Sequence, residues 1–188
     1  DAYLEAGTLS VDQLHRGLRL AVASRTLVPV LYGAALRNIG VQPLLDGVVE
    51  WMPSPLQRGS VNAKTLSGEG LVCPPDPKAD PVALVFKIFH EKYGDLHYLR
   101  IYSGTLKERQ RMVVARNGRV ERIGRILRMH AEHREQLEEA GPGSIVAVAG
   151  LKFAQTGDTL CLKGSEILLE EMDFPDAVMK LTVEAVEP

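Results

Sequence analysis

Nine cationic side chains stand between positions 100 and 128: Arg100, Lys107, Arg109, Arg111, Arg116, Arg119, Arg122, Arg125 and Arg128. All but Lys107 are arginine, whose planar fork can hold a phosphate through two parallel hydrogen bonds. Rings on which bare bases could stack are scarce: only Tyr98 and Tyr102 lie nearby, and aromatics make up 5% of the chain. A single-strand binder relies on such rings. The pattern therefore fits backbone and shape reading of structured RNA better. A competing reading pairs these arginines with the glutamate-rich stretch 132–139, and residue types alone leave both open.

Other chemistries fare worse. The stretch Gly59 to Thr65 (GSVNAKT) comes nearest to a phosphate loop, but Arg58 and Ala63 occupy the positions where that loop needs glycine. Neither Asp-x-x-Gly nor Asn-Lys-x-Asp occurs in the chain. His130 and His133 are spaced to share a metal, with Glu132 and Glu135 available beside them, but a zinc site takes three or four protein ligands, and Cys161 lies in a predicted strand with no second His/Cys pair nearby. No G-x-S-x-G elbow marks a nucleophilic serine. No catalytic, metal or cofactor site is therefore expected in this chain alone.

Charge sharpens the first reading. The net charge over 188 residues is −2. Residues 97–134 carry ten basic and three acidic side chains, net +7, whereas 135–188 carry three and eleven, net −8. Such asymmetry points towards nucleic acid unless the two segments neutralise each other in space. With 45% hydrophobic and 24% charged residues the composition is that of a folded protein. No apolar run is long enough to span a membrane. Cys73 and Cys161 provide no disulfide framework, which suits a reducing, cytoplasmic setting. The start at Asp1 without Met reads as a processed chain or an excised fragment.

Three regions must position these residues. In 1–58, Ser10 with Gln13 forms a capping-box pattern ahead of Leu14, Leu18 and Val22, which predicts a helix over 10–24. Leu27 to Leu31 reads as a strand and 33–40 as a loop. Pro43 opens a helix whose buried face is Leu44, Leu45, Val48, Val49 and Met52. One helix–strand–helix cannot close a sheet, so this region reads as the last piece of something larger. Residues 59–80 read as a linker rich in Pro, Gly and Ser. From 81 to 188 the pattern is of strands, at 82–90, 96–103, 111–116, 119–129, 143–150, 159–163 and 178–186, with a rim loop over 130–139. Asn117-Gly118 predicts a type I′ turn. Gly124 predicts a bulge or corner within its strand. The fold class is mainly β: an antiparallel β-barrel, closed or nearly so, preceded by a small α/β remnant.

Several words occur in an order that resembles bacterial elongation factor G. The stretches Pro29 to Asn38, Gly40 to Asp46 and Pro53-Ser54-Pro55 look like the end of its GTPase domain. Phe86-Lys87-Ile88, Tyr102-Ser103-Gly104-Thr105-Leu106, Glu121-Arg122-Ile123, Gly150-Leu151-Lys152 and Thr156-Gly157-Asp158-Thr159-Leu160 look like its second domain, a translation-type barrel. Glu187-Pro188 looks like the junction to a third. The resemblance implies a parent GTPase, using GTP with magnesium, that drives ribosomal translocation of tRNA and mRNA. An elongation-factor-G-like paralogue for ribosome recycling is the alternative. The resemblance implies that this barrel docks on small-subunit ribosomal RNA, for which the cationic segment supplies the candidates Lys107, Arg109, Arg116, Arg119, Arg122, Arg125 and Arg128. A barrel that merely braces the GTPase domain is the other possibility. Partners would be the ribosome and the parent's remaining domains, with no membrane and a monomeric state. Gly33, Ala34 and Ala35 fall on the word that helps hold the guanine base, with Ala34 in place of the usual serine. Arg109 falls near a turn position where the family usually has glycine, which predicts a different turn.

Overall fold

The computed structural model describes residues 2–91, 94–131 and 133–169. A short helix, α1 (Ala2–Ala6), precedes α2 (Val11–Ala23). Ser10 caps α2 reciprocally: its hydroxyl accepts from the Gln13 amide and the Gln13 side chain accepts from the Ser10 amide. Helix α3 (Val41–Trp51) carries Pro43 in its first turn and packs on α2. The His15 ring contacts the Glu50 carboxylate, and Arg19 Nε donates to the Glu50 carbonyl at 2.7 Å.

Two expectations fail in this region. Leu27 to Leu31 forms no strand, because no described segment pairs with it. The helix face of Leu44, Leu45, Val48, Val49 and Met52 is exposed rather than buried: among the described residues the main element packed on α3 is α2. A one-turn helix, α4 (Pro55–Arg58), follows, capped by Ser54 with Gln57 and carrying Pro55 at its first position.

The expected linker carries a hairpin. Strands β1 (Val61–Thr65) and β2 (Gly70–Cys73) pair antiparallel, and β13 (Ile167–Leu168) adds to the other side of β1. Pro74, Pro75 and Pro77 follow the hairpin rather than interrupt it, so the ladder loses no donor. Ala63 and Cys73 pack with Val82, Leu84 and Leu169, which joins this small sheet to the larger one.

The larger sheet holds eight antiparallel strands. They are β3 (Val82–Glu91), β4 (Gly94–Ser103), β6 (Arg111–Val114), β7 (Val120–Arg122), β8 (Ile126–His130), β9 (His133–Leu137), β11 (Ile145–Ala149) and β12 (Thr159–Cys161). Their order is β7-β6-β12-β3-β4-β11-β8-β9. The remaining pair is β5 (Leu106–Lys107) with β10 (Glu139–Ala140). No ladder joins edge strands β7 and β9. The turn after β5 links them instead: the Glu108 amide donates to the Glu138 carbonyl at 3.0 Å, and the Arg109 amide to the Ile123 carbonyl at 2.8 Å. The sheet is thus rolled around one apolar interior, to which Val85, Leu99, Leu106, Met112, Ile126 and Leu160 contribute from six different strands.

Two strand assignments are corrected. The run 119–129 divides into β7 and β8 at Ile123–Arg125. A β-carbon on Gly124 would lie 1.9 Å from the Ala149 carbonyl oxygen, so the corner passes too close to β11 for a side chain. The expected rim loop 130–139 is largely β9, paired with β8 across His130 and His133. The expected strand 178–186 and the Glu187-Pro188 junction lie outside the described residues.

Candidate nucleic-acid interface

The β6–β7 hairpin sets the first cations. Its turn is closed by the Val114 amide donating to the Arg119 carbonyl at 2.9 Å, with Gly118 at φ +69°. Asn117 keeps negative φ, so the expected type I′ turn does not form, and its side-chain oxygen instead accepts from the Arg119 amide at 3.0 Å. Arg116 and Arg119 leave this turn in different states. Arg116 donates to both oxygens of Asp158, at 2.8 and 3.2 Å, and to the Gln155 side chain at 3.1 Å. Hydrogen bonding to Asp158, and then its charge, hold the Arg116 guanidinium above its ordinary pKa. Asp158 is buried and also accepts from the Gln155 amide at 2.7 Å. Arg116 is therefore a clamp within the fold.

Cross-strand pairing accounts for further cations. Arg128 meets Glu135 at 3.2 Å in the β8–β9 ladder, and Lys107 meets Glu139 at 3.6 Å in the β5–β10 pair. Arg134 meets Glu91 at 2.7 Å. The basic and acidic segments thus do meet in part. The Arg128 and Lys107 pairs are exposed on both sides, and such pairs hold loosely enough to exchange for another anion, whereas Glu91 is half-buried.

Arg109, Arg111, Arg119, Arg122 and Arg125 are exposed and form no ion pair among the described residues. Arg111 and Arg122 are direct register partners on β6 and β7. Like charges placed opposite each other destabilise a sheet, and an anion between them removes that cost. Arg109 takes the left-handed conformation, φ +65°, with its amide bonded to the carbonyl beside Arg122. The turn expected to change for lack of glycine thus keeps a glycine-like backbone, with arginine in it. Arg100 lies apart, its guanidinium 5.2 Å from the Tyr102 ring centre.

The residues that sequence reasoning missed sit under this face. Glu121 is buried in β7 between exposed Val120 and Arg122. Its carboxylate accepts the amides of Lys152 at 2.9 Å, Phe153 at 2.5 Å and Ala154 at 2.9 Å. Three convergent amides make a nest for a negative group. The loop they belong to carries Phe153 to within 4.8 Å of the Arg119 guanidinium. His97 is buried in β4, and its Nδ1 has no partner among the described residues. Burial pushes the His97 pKa down. Gly150 and Gly157, both at positive φ, bound this loop and were its one signal in the sequence.

Gly33, Ala34 and Ala35 lie far along the chain from this face, in a tight loop closed by the Ala34–Ile39 bridge. A β-carbon on Gly33 would meet the Ile39 carbonyl oxygen at 2.5 Å. The Ala34 amide donates to that carbonyl at 2.9 Å. Among the described residues no group of three potential metal ligands comes together, and no helix is long and apolar enough to cross a membrane.

Fold and surface together define a rolled antiparallel β domain with an arginine-rich face. Comparison with known proteins makes the class particular. Residues 80–163 match the family model of elongation factor G domain 2. A crystal structure of a protein from Thermus thermophilus superposes with a TM-score of 0.64 at 24% identity, over 93% of this chain. The chain spans 22% of that protein's length, and the likeness is one of fold. The matched segment is thus similar to a domain of translational GTPases.

Proposed function

We propose that this chain is the ribosome-docking portion of an elongation-factor-G-type GTPase, and that its arginine face binds small-subunit ribosomal RNA in the cytoplasm. The observation that carries the reading is the Arg111–Arg122 opposition, flanked by Arg109 and Arg125 with no carboxylate paired to any of the four among the described residues. Translocation of tRNA and mRNA would be the activity of the parent, with this portion acting as a monomer. GTP and magnesium would be held elsewhere in that parent. Of this chain only Gly33, Ala34 and Ala35 would approach the guanine, and since the Ala34 amide is engaged by Ile39, the contact would fall to Ala35.

The candidate set narrows accordingly. Arg109, Arg119, Arg122 and Arg125, joined by Arg111, form the docking face. Lys107 and Arg128 would exchange a carboxylate for phosphate, and Arg116 serves the fold. A bracing barrel draws support from the ion pairs of Lys107, Arg116 and Arg128. Pelleting with isolated small subunits separates the readings: the double variant Arg111→Glu, Arg122→Glu should lose at least tenfold in affinity while its thermal midpoint is kept. Unchanged binding would favour bracing.

A further inference from the structure

Phe153 is an apolar ring held partly in solvent, 40% exposed, by a loop that is fixed at every step. Glu121 takes the amides of Lys152, Phe153 and Ala154, and Asp158 takes the amide of Gln155. Asp158 is itself gripped by Arg116. Arg119 lies against the ring at 4.8 Å, and exposed Lys152 precedes it. A ring with a guanidinium on it and cations around it has the make-up of a stacking site for a base. Bases within a duplex are covered on both faces by their neighbours, so only an unpaired nucleotide can reach such a ring. We propose that Phe153 and Arg119 form a platform for one unpaired nucleobase of the RNA that the arginine face docks; the inference rests on the RNA-docking reading.

The test uses two short RNAs of equal length, one fully paired and one with a single bulged 2-aminopurine. The full chain is compared with Phe153→Ala and Phe153→Tyr by anisotropy and by 2-aminopurine fluorescence. The chain should bind the bulged RNA about five- to a hundredfold more tightly than the duplex, quenching the probe. Phe153→Ala should reduce bulged-RNA affinity to the duplex level, with duplex affinity and thermal midpoint kept. Phe153→Tyr should restore both affinity and quenching. Equal binding of the two RNAs by the unaltered chain, or equal weakening of both by Phe153→Ala, would overturn the platform while leaving RNA docking standing. Binding of neither RNA would overturn the docking reading and the platform with it.

Discussion

Arginine in the left-handed region costs about 1–2 kcal/mol relative to glycine, yet Arg109 occupies it at φ +65°. The conformation is imposed by its position. Its amide must reach the Ile123 carbonyl while the Glu108 amide reaches Glu138, since these bonds link the two edges of the rolled sheet. Any residue placed there adopts that backbone. An arginine adds a cation to the docking face at the expense of stability, a familiar opposition at functional sites. Arg109→Gly should therefore raise the unfolding free energy by about 1 kcal/mol in urea titration while weakening small-subunit binding. A loss of stability would show that the side chain packs rather than projects.

At the scale of elements, the loop after β11 is held by β7. Glu121 sits 2% exposed with three amides on its carboxylate. Removing that acceptor leaves three amides without their partner, of which that of Ala154 is buried, and an unpaired buried donor costs about 1–3 kcal/mol. Glu121→Ala should destabilise the chain by about 3 kcal/mol or more, read as a shift in urea midpoint, whereas Arg122→Ala next to it should change stability little. This partnership also marks where sequence reading stopped. Helix α2, its cap and the register-bearing strands β3, β4, β6 and β11 follow from local pattern: the Ser10–Gln13 box and alternating apolar residues. Glu121 and Phe153 belong to separate words of the chain, and nothing in either announces that the fold brings one under the other. The stretch 130–139 misleads because β9 lies at a sheet edge, with exposed polar residues where a central strand would be apolar. Leu27 to Leu31 misleads in the opposite sense, since an apolar run becomes a strand only when a partner completes its ladder.

Over the whole molecule the net charge of −2 divides unevenly. Acidic side chains from 135–158 neutralise Lys107, Arg116 and Arg128 across strands, and Arg109, Arg111, Arg119, Arg122 and Arg125 are left as a positive face. Six acids of the negative segment, from Glu170 to Glu187, lie outside the described residues. Charge that docks on RNA displaces counterions, and each phosphate contact contributes about −0.7 to −0.9 to the slope of log affinity against log salt. The most direct test of RNA docking is that slope, measured for small-subunit binding over a salt series with the chain and with Arg111→Glu, Arg122→Glu. Docking by five arginines predicts a slope of about −4, reduced by about two in the double variant. A slope near zero, or the same slope for both proteins, would contradict it.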